Sequence, residues 1–147
     1  GEREDKSGSV IEEIVTAHEL EVTGKVILPD DRQILSDQML NYCHQGIDLI
    51  LTTGGTGFSK RDVTPAATAD IVERRADNLT FAMIANSLQY TPKAMLSRGI
   101  AGIRENTLIV NLPGSPKAVR ENLEYAIDAI IHGVKILKGD DAECARK

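Results

Sequence analysis

Residues whose types and spacing could do chemistry gather in two short segments. The first runs Thr53-Gly54-Gly55-Thr56-Gly57 and is followed closely by Arg61, Asp62, Thr64 and Thr68. Glycine lets a ligand come close to the backbone, and exposed N–H groups attract anions. Arg61 has the geometry to hold a phosphate, and Asp62 offers the carboxylate oxygen that a hard divalent cation prefers. The second segment is Pro113-Gly114-Ser115, followed by Pro116. Asp30 and Asp31 add a separate acidic pair. Two acidic sites around a phosphate chain suit metal-assisted nucleotidyl or phosphoryl transfer, in which positioning and charge neutralisation supply most of the catalysis.

Each feature also has a plainer reading. A tight strand-to-helix turn accounts for a glycine cluster, and this one is neither a P-loop nor the GxGxxG dinucleotide fingerprint. Asp62 and Thr64 could cap the next helix, which explains Thr64 better than Asp62 or Arg61. Capping is at least as good an account of one of Asp30 and Asp31. Ser97 and Arg98 place a hydroxyl and a fixed charge before a strand and say little alone. His18, His44 and His132 are dispersed without partner spacing, and Cys43 falls on an apolar helix face that belongs in a core. No Ser-His-Asp arrangement is suggested.

The elements that must position these residues follow from hydrophobic spacing. Residues 9–20 read as a first helix capped by Ser7 or Ser9, with the polar residues 1–8 ahead of it read as a loop. Residues 25–28 form a short β-type run ended by Pro29. Residues 32–45 make a second helix stopped by Gly46. The continuous apolar run 47–53 suits a strand buried on both faces of a parallel sheet and leads into the glycine segment. Thr64 as cap and Pro65 in the first turn open a helix expected to reach Ala76. Another helix covers residues 79–88, before Thr91 and Pro92. Residues 98–104 and 107–112 read as two antiparallel strands joined at Glu105-Asn106, and Ser115-Pro116 starts a long final helix. Alternating helices and strands argue for an α/β layer fold, mostly parallel with a local antiparallel hairpin. In such folds ligands bind at the carboxyl ends of strands, where both loops are expected.

Length and composition bound the rest. With 147 residues, one domain spanning 1–147 is expected. The aromatic content of 3% counts against a base-stacking platform, and the net charge of −5 against a general nucleic-acid or anionic-membrane binder. No apolar run approaches the ~20 residues of a membrane span. The cysteines, Cys43 and Cys144, lack metal-ligand or CxxC spacing, which favours a reducing compartment and a cytoplasmic location. The end of the chain, residues 138–147, reads as a solvated tail.

The run from Asp48 to Thr68, DLILTTGGTGFSKRDVTPAAT, strongly resembles the signature of the molybdopterin adenylyltransferase family. That family includes bacterial Mog and MoaB-type proteins, the plant molybdenum-insertase G domain and the gephyrin amino-terminal domain. Thr91-Pro-Lys-Ala-Met-Leu-Ser-Arg98, Gly102-Ile-Arg104 and Asn111-Leu-Pro-Gly-Ser-Pro116 match later motifs of the family in the same order. The resemblance implies a three-layer α/β fold, assembly as a homotrimer, and Mg²⁺-dependent transfer of AMP from ATP to the terminal phosphate of molybdopterin with release of pyrophosphate. A molybdenum insertase would take the product. By position, Asp30 and Asp62 correspond to the two carboxylates linked with turnover and Mg²⁺. Thr53, Gly54, Gly55, Thr56 and Gly57, with Arg61 and Thr64, match the nucleotide and pterin loop. Ser97 and Arg98 match a pterin-side loop, and Pro113, Gly114 and Ser115 a second phosphate-side loop.

Two departures stand out. Family members usually carry an acid where this chain has Ala66, which predicts weaker metal or nucleotide binding and supports an alternative, a non-catalytic molybdopterin-binding or scaffolding domain. They also begin with an apolar strand ahead of the segment seen here at Asp5 to Gly8, a strand expected to be missing from this chain. Related domains of molybdenum insertases or nicotinamide-nucleotide recyclers fit less well, because their glycine loops are spelled differently.

Overall fold

The computed structural model describes residues 2–139, with side chains from residue 6 onward. Helix α1 (Glu2–Ala17) and helix α2 (Arg32–His44) precede strand β1 (Leu49–Thr53), which feeds helix α3 (Thr64–Ala69). Strand β2 (Arg74–Arg75), helix α4 (Asp77–Ser87), a 3₁₀ helix (Pro92–Leu96), strands β3 (Ala101–Arg104) and β4 (Thr107–Leu112), and helix α5 (Pro116–Lys138) complete the order. The sheet runs β1-β4-β3-β2, with β1 parallel to β4 and antiparallel pairings on either side of β3.

Strand β4 is buried along its whole length, and its alternation divides the core in two. Leu108, Val110 and Leu112 pack with Ile14 and Val15 of α1, Met83 of α4, and Val119, Leu123, Ile127 and Ile130 of α5. Ile109 faces the other way and joins Ile50 of β1, Met39 and Cys43 of α2, and Ala67 of α3. The result is the expected three-layer arrangement: α1, α4 and α5 on one face, α2 and α3 on the other. Burial raises the pKa of the Cys43 thiol, as a core role requires.

Four expectations from the sequence are corrected. Residues 2–8 are helical rather than a loop, so Ser7 lies inside α1 instead of capping it. Residues 25–28 form no strand. A strand needs a hydrogen-bonded neighbour, and among the described residues this run has none; Val26 and Ile27 stay about half exposed. Helix α3 ends at Ala69 rather than Ala76, because Arg74 and Arg75 pair with Ile103 and Gly102. Gly102 permits that pairing, since a Cβ there would lie 2.7 Å from Val72 Cγ1. The first strand of the hairpin begins only at Ala101, beyond Arg98. Cys144 and most of the expected tail lie outside the described residues.

Among the described residues β1 forms an edge of the sheet. Beside it runs an open trough of about 640 Å³, with Ile11 and Val15 of α1 on one side, Met39 and Tyr42 of α2 on the other, and residues 20–28 opposite.

Candidate functional site

Because β1 and β4 are parallel, their carboxyl ends open at the same edge, with Thr53 registered against Leu112. The two loops that leave there are fastened to each other. Gly54 N donates to Leu112 O at 3.1 Å, and Thr53 Oγ1 donates to Pro113 O at 2.6 Å. Gly54 has φ +85°, which favours glycine, and a Cβ on Gly114 would lie 3.3 Å from Gly54 Cα, so the two backbones meet with little room for a side chain. Ser7, fully buried, donates from Oγ to Gly114 O at 2.6 Å and ties α1 to the same point. Ser115 Oγ accepts from Ala118 N at 3.1 Å, making it the N-cap of the 23-residue helix α5, with Pro116 in the first turn as expected. An amino-terminal helix end, whose N–H groups and dipole favour anions, thus stands beside the glycine loop.

The glycine loop closes on itself. Thr64 N donates to Gly55 O at 3.2 Å, and Gly55, at φ +68°, packs so tightly on Thr64 Oγ1 that a Cβ would overlap it. Thr64 is therefore not the expected cap. It is the first residue of α3, whose N-cap Val63 provides no side-chain bond, and its buried hydroxyl faces the loop. Asp62 Oδ2 accepts from Ser59 N at 2.9 Å, while Asp62 N donates to Ser59 O at 3.0 Å. The carboxylate thus braces a turn rather than a helix, and it lies close enough to Gly57 that a Cβ there would sit 2.9 Å from Oδ2. Thr56 is buried in the loop, and the Arg61 side chain is exposed beside it.

The acidic pair divides. Asp31 Oδ1 accepts from Ile34 N at 2.9 Å and caps α2, whereas exposed Asp30 lines the site end of the trough with Gly54, Gly55 and Thr64. Helix α2 is held to α3 by a two-pronged pair, Arg32 Nε and Nη2 each 2.7 Å from Asp70 Oδ2 and Oδ1, and by Ser36 Oγ donating to Ala67 O. Hydrogen bonding to Arg32 holds the Asp70 carboxyl below its ordinary value, and the same contact raises Arg32. The start of α2, and Asp30 with it, is thereby fixed against the helix that follows the glycine loop.

Arg98, just past the 3₁₀ helix, reaches the loop, whereas Ser97 bonds within its own segment. Ser97 Oγ accepts from Gly99 N at 3.2 Å. Arg98 N donates to Thr56 O, Nε to Gly57 O and Nη2 to Asp62 O, at 2.7, 2.7 and 2.6 Å. Two contributors have no site role assigned from the sequence. By type and position Ser7 reads only as a candidate helix cap. Asn111, buried at 3% exposure, donates to Thr52 Oγ1 and Thr68 Oγ1 at 3.0 Å each and accepts from Ile100 N at 3.1 Å, joining β4, β1, α3 and the lead into β3. The available signal is an amide side chain inside a mostly apolar strand, two residues before Pro113. The histidines stay outside this edge: His18 bonds its own helix at Ile14 O, and no group of three or more His, Cys, Asp or Glu residues suited to a metal occurs among the described residues.

Two backbone-lined loops at the carboxyl end of a parallel strand pair, one closing onto a long helix's amino terminus, define an α/β protein whose loops gather at one sheet edge. The chain belongs to the family described as "Probable molybdopterin binding domain", which it matches over residues 1–132. It is 38% identical over 143 residues to the molybdopterin adenylyltransferase of Helicobacter pylori strain J99, covering 95% of this chain and 81% of that protein. It is 47% identical over 116 residues to gephyrin of Dictyostelium discoideum, where the match covers 79% of this chain but only 16% of gephyrin. The fold superimposes on the crystal structure of the molybdopterin biosynthesis enzyme MoaB from Thermus thermophilus with a TM-score of 0.88 and 40% identity, covering 95% and 88% of the two chains.

Proposed function

We propose that this chain is a molybdopterin adenylyltransferase of molybdenum cofactor biosynthesis, transferring AMP from ATP to molybdopterin. The observation that carries this reading is the contact between Gly54 and Gly114, which merges two loops and the N-terminus of α5 into one cradle of backbone N–H groups. The names of relatives such as the H. pylori adenylyltransferase supply the reaction class.

In this reading an oxygen of the pterin's terminal phosphate attacks the α-phosphorus of ATP. The bond from the α-phosphorus to the bridging oxygen breaks, and pyrophosphate leaves with that electron pair. The phosphate nucleophile is already ionised at neutral pH, so no histidine base is needed. Loop N–H groups of residues 55–57 hold charge on the transferred group, Gly54 N being bonded to Leu112 O, and Arg61 and the α5 N-terminus hold phosphates. Thr53, Thr64, Pro113 and Ser115 shape the cradle. Asp62 in the loop, with Asp30 at the site end of the trough, would hold Mg²⁺, which supplies charge neutralisation on the triphosphate. One or two carboxylates without a dedicated protein cage fit this cation, which completes its shell from phosphates and water.

A homotrimer in the cytoplasm, passing its product to a molybdenum insertase, completes the reading; among the described residues no helix is long and apolar enough to cross a membrane. Ala66, in the first turn of α3, favours a second reading, a domain that binds molybdopterin without turnover. Incubation with molybdopterin, ATP and Mg²⁺, following AMP incorporation and pyrophosphate release, separates the two. Turnover that falls at least 100-fold in Asp62→Ala and less in Asp30→Ala, with pterin binding kept, supports the enzyme. Pterin binding by the natural chain without turnover supports the second reading.

A further inference from the structure

We infer that Arg98 is a positioning residue that holds the glycine loop in its binding shape before any ligand arrives, rather than a charge that meets the substrate. The inference deepens the proposed function, on which it rests for the identity of the loop's ligand. A guanidinium presents five N–H donors in a fixed plane. Here Nε and Nη2 grip Gly57 O and Asp62 O, the two ends of a segment that contains the turn closed by Ser59 and Asp62. The backbone adds a third tie, Arg98 N to Thr56 O.

The anchor is itself fixed. Ser97 Oγ holds Gly99 N, Ile100 N is bonded to the Asn111 side chain, and a Cβ on Gly99 would touch Asn111 Cβ at 3.4 Å. One planar cation therefore joins a rigid lead-in to two carbonyls of the glycine loop, and one of those carbonyls belongs to the residue whose carboxylate is assigned to the cation. Hydrogen bonds to a charged donor are stronger than neutral ones, and a lysine, as a point charge, cannot span both carbonyls as the fork does.

Amide hydrogen exchange of the ligand-free protein tests this directly. In Arg98→Ala, residues 56–62 should exchange at least 10-fold faster while β1 and β4 keep their protection. Arg98→Lys should fall between the two. ATP affinity, measured by calorimetry with Mg²⁺, should drop in the same order. Loop exchange unchanged in both variants, with ATP affinity lost, would overturn the inference and make Arg98 a ligand contact. Should Arg98→Ala fail to fold, Arg98→Lys decides alone: faster loop exchange with an intact sheet supports the role, and unchanged exchange rejects it. Because exchange is read without substrate, failure of AMP transfer in the natural chain would remove the proposed function without touching this result.

Discussion

Residues 113–115 and residues 54–63 leave neighbouring strands at the same edge, yet their paths are set by different means. The shorter crossing passes straight from β4 to α5, and its surroundings leave it little freedom: Thr53 holds Pro113, Ser7 holds Gly114, and Ser115 caps the helix. The longer one has only its two ends in regular structure. It depends on left-handed glycines, a carboxylate-closed turn and an arginine arriving from another part of the chain. A short loop can inherit its shape from its flanks, while a long one must be tied by side chains.

That contrast predicts unequal sensitivity to the same kind of substitution. Gly55→Ala combines a positive φ with overlap onto Thr64 Oγ1 and should cost about 2–3 kcal/mol of stability, with ATP affinity reduced more than 10-fold. Gly114→Ala meets Gly54 Cα at ordinary φ and should cost less on both counts. Parallel urea melts and calorimetry on the pair check this, and a larger effect at Gly114 would reverse the comparison. Ser7→Ala leaves Gly114 O without its partner in a buried setting and should lower stability by about 1–2 kcal/mol, with faster amide exchange confined to residues 113–118. Spread of that exchange into residues 54–63 would show that the loops move as one.

The smallest effect concerns the outer fastening. Hydrogen bonding to Arg32 depresses the Asp70 carboxyl, so its contribution is present above the ordinary carboxylate range near 3.8 and fades as pH falls through the lower folded value. Asp70→Asn should therefore be slightly less stable than the natural chain at pH 7, with the difference closing in acid. Both partners are solvent-exposed, so the gap should be small and salt-sensitive. Thermal melts from pH 7 down to 3 measure it, and a gap that widens in acid would contradict the assignment.

The sequence made the second loop and the glycine segment legible because their determinants are local. Ser115-Pro116 spells a helix start, and glycines mark close approaches. By residue type, Asp30 and Asp31 read as a pair in which one member caps, and only the structure shows that Asp31 is the one. The features that stayed hidden depend on distant backbone. Arg98 meets carbonyls 41 and 36 residues away, and a carbonyl carries no residue-type signature. Residues 25–28 have β propensity but, among the described residues, no neighbour to pair with, and α3 stops early because Arg74 and Arg75 are drawn into a two-residue strand. Thr64 looked like a cap by type, but its hydroxyl packs on Gly55 instead.

The parallel register of β1 on β4 also governs when the site can exist. Asn111 meets Thr52 across 59 residues and Thr53 meets Pro113 across 60, so neither bond forms until a long stretch of chain has been closed into a ring. Closing such a ring loses entropy before any contact offsets it, and pairings of this span form late in folding. Helices α2 and α5 can form on local contacts, but the cradle is a product of the final closure. A newly made chain therefore gains its binding edge in the same step that completes its sheet.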